Sequence, residues 1–102
     1  MKFYLISDNA DTQVGLRMAG IEGVVLHEPE EVRAALLRTM DDPEVAVILM
    51  TAPLIEGCRE LVDDLKLHHA TPLIVEIPDR HGNGSTKDSI LRYVRDAVGI
   101  KI

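Results

Sequence analysis

Four short aliphatic runs, each separated from the next by a stretch of helix length, constrain this chain more than any other feature. They are Phe3–Ile6, Val24–Leu26, Val45–Met50 and Leu73–Ile77. Each is compact, rich in Val, Ile and Leu, and bounded by turn or helix-start residues, as strands buried on both faces are. Helical periodicity fills the segments between and after them, near residues 11–19, 29–40, 53–67 and 86–98. The element order is therefore βαβαβαβα. Right-handed crossovers in such a repeat give a parallel sheet with helices on both faces. The expected fold class is α/β, a doubly wound, Rossmann-like four-stranded parallel sheet in the order 2-1-3-4.

The helical segments carry their own punctuation. In the first, Thr12, Gly15, Leu16 and Ala19 share a face small enough to approach a sheet closely, and Gly20 is placed to end it. Asp8 and Asp11 are suited to the start of that helix. The second opens with Pro29 in the tolerated first turn, with Glu28, Glu30 and Glu31 at the positive helix terminus. Its buried stripe is Val32, Ala35, Leu36 and Met40. One continuous third helix, Pro53–Leu67, places Leu54, Cys58, Leu61, Val62 and Leu65 on one side. The last segment aligns Ile90, Leu91, Val94, Ala97 and Val98.

This topology puts the second and third helices on one face of the sheet. The first stands on the other face, alone unless the last folds back beside it. The fourth strand becomes an edge, and Leu73-Ile74-Val75 is an apolar sequence for an edge. Cover from a protein partner is the physical expectation.

At 102 residues the chain is expected to be one domain: an α/β core over 1–78, a loop over 79–87, and a C-terminal helix and tail over 88–102. Apolar residues make up 46% of it, nearly all aliphatic, enough for a single core. A net charge of −6 repels phosphate backbones and anionic headgroups, so nucleic acid is not expected as a partner. No apolar run approaches the roughly 20 residues that span a bilayer. The start MKFYLIS does not have the form of a signal peptide. A lone cysteine, Cys58, has no internal partner and fits a reducing compartment.

Chemistry is hard to find. Asp8 follows the first strand, where doubly wound folds bind ligands. A phosphorylatable aspartate would be needed after the third strand, and Met50-Thr51-Ala52 stands there. The loop Gly82-Asn83-Gly84-Ser85-Thr86-Lys87 opens a helix, yet Ser85 and Thr86 separate the glycine from the lysine, against phosphate-loop spacing. His27, His68, His69 and His81 show no metal-ligand spacing, and no metal or other cofactor is expected. His68 and His69 suit a helix C-terminus. Cys58 reads as a small core residue. No nucleophile–base pair suggests itself.

Three phrases, in order, resemble the F subunit of V/A-type ATPases. The segment from Asp8 through Thr12 and Gly15-Leu16 to Ala19-Gly20-Ile21 is similar to that family's opening, with Leu16 where Phe is frequent. Pro72-Leu-Ile-Val-Glu76-Ile77-Pro78 is similar to its P-x-x-x-E-I-P strand, and Tyr93-Val-Arg-Asp-Ala97-Val98-Gly99-Ile100 to its close. The resemblance covers essentially the whole chain.

What it implies is a non-catalytic rotor subunit of the central stalk, in the cytoplasm and peripheral to the membrane. Its direct partner would be the coiled-coil D subunit, with the A3B3 catalytic ring and the membrane rotor ring as indirect ones. Ile90, Leu91, Val94, Arg95 and Val98 would then form the contact with the D subunit, since the apolar members lie at i, i+4 and i+8. The alternative is a phosphate- or nucleotide-responsive signalling domain, similar to a degenerate receiver, using Asp8 and the Gly82–Lys87 loop.

Overall fold

The computed structural model describes residues 2–77. The expected 79–87 loop and 88–102 helix and tail lie outside the described residues. Within them the order is β1 (Lys2–Ser7), α1 (Ala10–Met18), β2 (Glu22–Val25), α2 (Pro29–Met40), β3 (Val45–Thr51), α3 (Ala52–Gly57), α4 (Arg59–His68) and β4 (Leu73–Ile77). All neighbouring strands are parallel, and the sheet runs β2-β1-β3-β4. The expected fold class and strand order are those observed.

Side-chain alternation divides the sheet between two cores. Ile6, Ile48, Met50 and Ile74 face α2, α3 and α4, where Val32, Leu36, Ile55, Val62 and Leu65 close over them. Leu5, Val47, Leu49, Val75 and Ile77 face the other way, toward the side where α1 contributes Leu16. Val45 and Val47 point to opposite cores although two residues apart. The register shifts between Lys2 and Phe3, whose partners are Val45 and Val47, and the extra residue Ala46 reverses the alternation.

The ends of α1 follow from their residues. Asn9 caps it, its Oδ1 accepting the Thr12 amide at 3.1 Å. Asp11 lies in the first turn, so the cap belongs to Asn9 and to neither flanking acid. At the other end Gly20 adopts a φ of 90°. Its amide donates to Arg17 O at 2.9 Å and the Ile21 amide to Leu16 O at 2.9 Å, the Schellman arrangement. Ile21 then packs into the cluster that holds Leu16. Ala19 is exposed, so the inner face reduces to Thr12, Gly15 and Leu16.

Two expectations about helices need correction. The third helix is not continuous: it breaks at Cys58, whose φ of −141° and ψ of 42° are not helical. Gly57, a poor helix former, precedes the break. The break lets both short helices turn Leu54, Ile55, Val62 and Leu65 into one core. In α2, Met40 is only half-buried, packing at the margin of that core, and Thr39 joins the stripe. Its hydroxyl donates to Ala35 O at 2.7 Å, which satisfies it within the helix.

β2 lies so close to β1 that only glycine fits at position 23. A Cβ there would stand 2.5 Å from both Leu5 Cβ and Leu5 O. This strand begins at Glu22, two residues before the aliphatic run that marks it in the sequence.

Candidate functional site

In this topology the chain leaves β1 toward one side of the sheet and β3 toward the other. Ligands of doubly wound folds sit at the strand C-termini where connections diverge in this way. Here that place is filled by the protein's own polar groups. Ser7, fully buried at the end of β1, donates from Oγ to Asn9 O at 2.9 Å and accepts the Asn9 amide at 2.9 Å. Asp8 N donates to Thr51 Oγ1 at 3.1 Å, joining β1 to the end of β3. His27, after β2, meets Asp8 O through Nε2 at 3.0 Å. No buried side-chain nitrogen or oxygen among the described residues lacks a partner.

The consequence is chemical as well as structural. Three backbone donors at this end, of Asp8, Asn9 and Thr12, are committed to Thr51, Ser7 and Asn9. Met50 and Thr51, where a receiver carries its acceptor aspartate, are buried at 0% and 3% exposure. Among the described residues no three His, Cys, Asp or Glu side chains assemble as metal ligands. His68 instead folds onto its own helix, with Nδ1 3.1 Å from Asp64 Oδ1 and 3.0 Å from Asp64 O. His81 and the Gly82–Lys87 loop lie outside the described residues.

Cys58 sits at the helix break with its Sγ donating to Leu54 O at 3.3 Å. Burial pushes its thiol above the ordinary value, and the positive Arg33 and Arg59 only partly offset that. A raised thiol is a poor nucleophile at neutral pH. Arg59 spans the break, pairing with Glu56 and lying 4.0 Å from Glu76 on β4. The Glu56 hydrogen bond leads the effects that raise its guanidinium further, so it stays charged.

The residues expected to form the partner contact, Ile90, Leu91, Val94, Arg95 and Val98, lie outside the described residues. What is described is the ground beside them in sequence. β4 is the last strand of the described sheet, yet its side chains are less bare than expected of an edge. Ile74, Val75 and Ile77 are buried, and only Leu73, at 42%, is exposed. Exposed apolar surface also occurs on α1, where Val14 and Met18 stand one turn apart.

Several of these residues left a sequence signal and others none. Asn9 three residues before Thr12 is a capping pattern that can be read. Thr51 cannot be read as a partner of the β1 loop, because it lies 43 residues from Asp8 in the chain.

Comparison with known proteins decides what such a domain belongs to. The family model described as ATP synthase (F/14-kDa) subunit matches residues 4–94. The F subunit of the A-type ATP synthase of Thermococcus sibiricus is 32% identical, over 100% of this chain and 98% of that protein. That of Methanococcus vannielii is 34% identical, over 100% and 99%. The chain belongs to the family of the ATP synthase (F/14-kDa) subunit. A third member, the corresponding protein of Methanocaldococcus jannaschii, is 29% identical over 100% of this chain. The family span runs from β1 past the described residues and takes in Ile90, Leu91 and Val94. Among the described residues no helix is long and apolar enough to cross a membrane.

Proposed function

We propose that this chain is a non-catalytic central-stalk subunit of a V/A-type rotary ATPase. It binds the coiled-coil D subunit and helps couple ATP hydrolysis or synthesis to proton or sodium transport. The observation that carries this reading is the match along the whole chain to F subunits of A-type ATP synthases. The hydrogen bonds around Asp8, Ser7 and Thr51 support a binding module over an enzyme, because they tie polar groups at the usual ligand position into the fold. Against the phosphate-responsive alternative stand Met50 and Thr51, buried where a receiver carries its acceptor aspartate.

The contact with the D subunit falls to the segment 88–102, through Ile90, Leu91, Val94, Arg95 and Val98. An apolar row at i, i+4 and i+8 fits the groove of a facing helix. Arg95 beside that row meets acids flanking the seam. The catalytic ring and the membrane ring are reached only through the stalk. The protein thus works in the cytoplasm, peripheral to the membrane.

Co-expression with the D subunit encoded beside the same organism's A and B subunits tests this. The two should purify as a stoichiometric complex through an affinity tag and gel filtration. Separate elution at micromolar concentration overturns the proposal.

A further inference from the structure

At the outer edge of β2, one of the two edges of the described sheet, backbone groups face away from any strand. The Leu26 amide donates to Ser7 O at 2.8 Å, so Leu26 addresses β1. Backbone groups in a strand alternate sides, so Val24 and Glu22 address β1 as well, while Gly23 and Val25 address the outside. Such an edge is a template for another strand. Nothing in β2 guards it by composition: it has no proline and no lysine, and its one charge is Glu22 at the start.

One of those outward groups is nevertheless taken. The Gln13 side chain, on α1, donates from Nε2 to Gly23 O at 2.9 Å. Its carboxamide supplies the amide that a neighbouring strand would supply. Among the described residues no acceptor meets the outward amides of Gly23 and Val25.

We infer that Gln13 is a strap that holds the β2 edge closed to a second copy of this chain. Two β2 edges brought together antiparallel about a twofold axis present Gly23 and Val25 to each other. Such an interface is self-complementary and would continue the sheet from one protomer into the next. The Gly23 carbonyl lies in the middle of that edge, and Gln13 occupies it. A chain destined for a multi-subunit complex is thereby kept from pairing with itself. This inference concerns the edge strand alone and stands apart from the contact with the D subunit.

Sedimentation equilibrium of the full chain tests it, with the unaltered protein as reference. The reference should hold the monomer mass across the concentration range. Gln13→Ala, which suits a helix and removes the donor, should climb toward twice that mass as concentration rises. Gln13→Met keeps the length of the stem without a donor or a charge, and should behave in the same way. Adding Val25→Pro to Gln13→Ala should restore the monomer. That amide faces outward, so the proline removes no bond to β1. Hydrogen exchange should show the Gly23 and Val25 amides gaining protection in the associated form. Two folded variants that stay monomeric overturn the proposal, as does association that Val25→Pro fails to reverse. Loss of helix and strand signal in both Gln13 variants also overturns it, since Gln13 would then hold the fold together.

Discussion

The backbone amide of Asp8 donates to the Thr51 hydroxyl across 3.1 Å, tying β1 to β3 where the sheet's connections part. Thr51 is 3% exposed, so the bond lies largely out of water. Thr51→Val keeps the shape and removes the acceptor, leaving the Asp8 amide without its partner. The expected cost is about 1–2 kcal/mol, the range for stranding a partly buried donor. Urea unfolding should show a lower midpoint with an unchanged slope. An unaltered midpoint would mean that the tie carries no stability.

Glycines at two positions should respond in opposite directions. At Gly23 an added Cβ meets Leu5 Cβ and the Leu5 carbonyl at 2.5 Å, and backbone cannot yield as a side-chain tip can. Gly23→Ala should therefore destabilise by about 2–3 kcal/mol, the upper range for overpacking. Gly57 has nothing within 4 Å of the same added atom and ends α3 without a positive φ. Gly57→Ala should stabilise by about 0.5–1 kcal/mol through helix propensity and a less free unfolded chain. Thermal melts of the two variants, run side by side, decide both.

The contrast between those glycines shows what could be read from the chain beforehand. Strand order was legible because each aliphatic run is short, bounded and joined to the next by a crossover that has one favoured hand. β4 was legible to the residue, since Leu73–Ile77 has no charged end to blur it. β2 was displaced by two residues, because Glu22 and Gly23 are poor strand formers held there by the β1 ladder. The break at Cys58 escaped because Leu54, Cys58, Leu61 and Leu65 keep helical spacing through it. Of the candidate site, Asp8 was visible as a position. Its ties to Thr51 and His27 were not, since they join residues far apart in sequence.

Cys58 should be silent toward thiol reagents until the protein unfolds. Its residue is 4% exposed and burial raises its thiol above the ordinary value. Ellman's reagent at neutral pH should react with one thiol in denaturant and essentially none without. The sign of the pH effect follows. A raised thiol in the folded state binds its proton more tightly than in the unfolded chain. Its stabilisation is complete below the unfolded value of about 8.5 and is lost as pH rises through the folded value. Cys58→Ala should flatten that alkaline decline, which stability curves taken on both sides of the unfolded value would reveal.

Val94 separates the two roles open to the C-terminal segment. In the proposed role it sits in the middle of the apolar row that meets the D subunit, flanked by Ile90 and Val98. A carboxylate there must be buried against an apolar groove or hold the helices apart. Val94→Asp should then weaken the complex by at least about tenfold, or roughly 1.4 kcal/mol. Gel filtration with the D subunit and a titration by calorimetry measure that loss. In the proposed role the isolated chain should keep its far-ultraviolet dichroism and melt within a few degrees of the original, because α2, α3 and α4 close one core over Ile48 while α1 places Leu16 in the other. Global unfolding of the isolated variant would place Val94 in the domain's own core instead, and the partner contact would have to be sought elsewhere, beginning with the exposed Val14 and Met18 on α1.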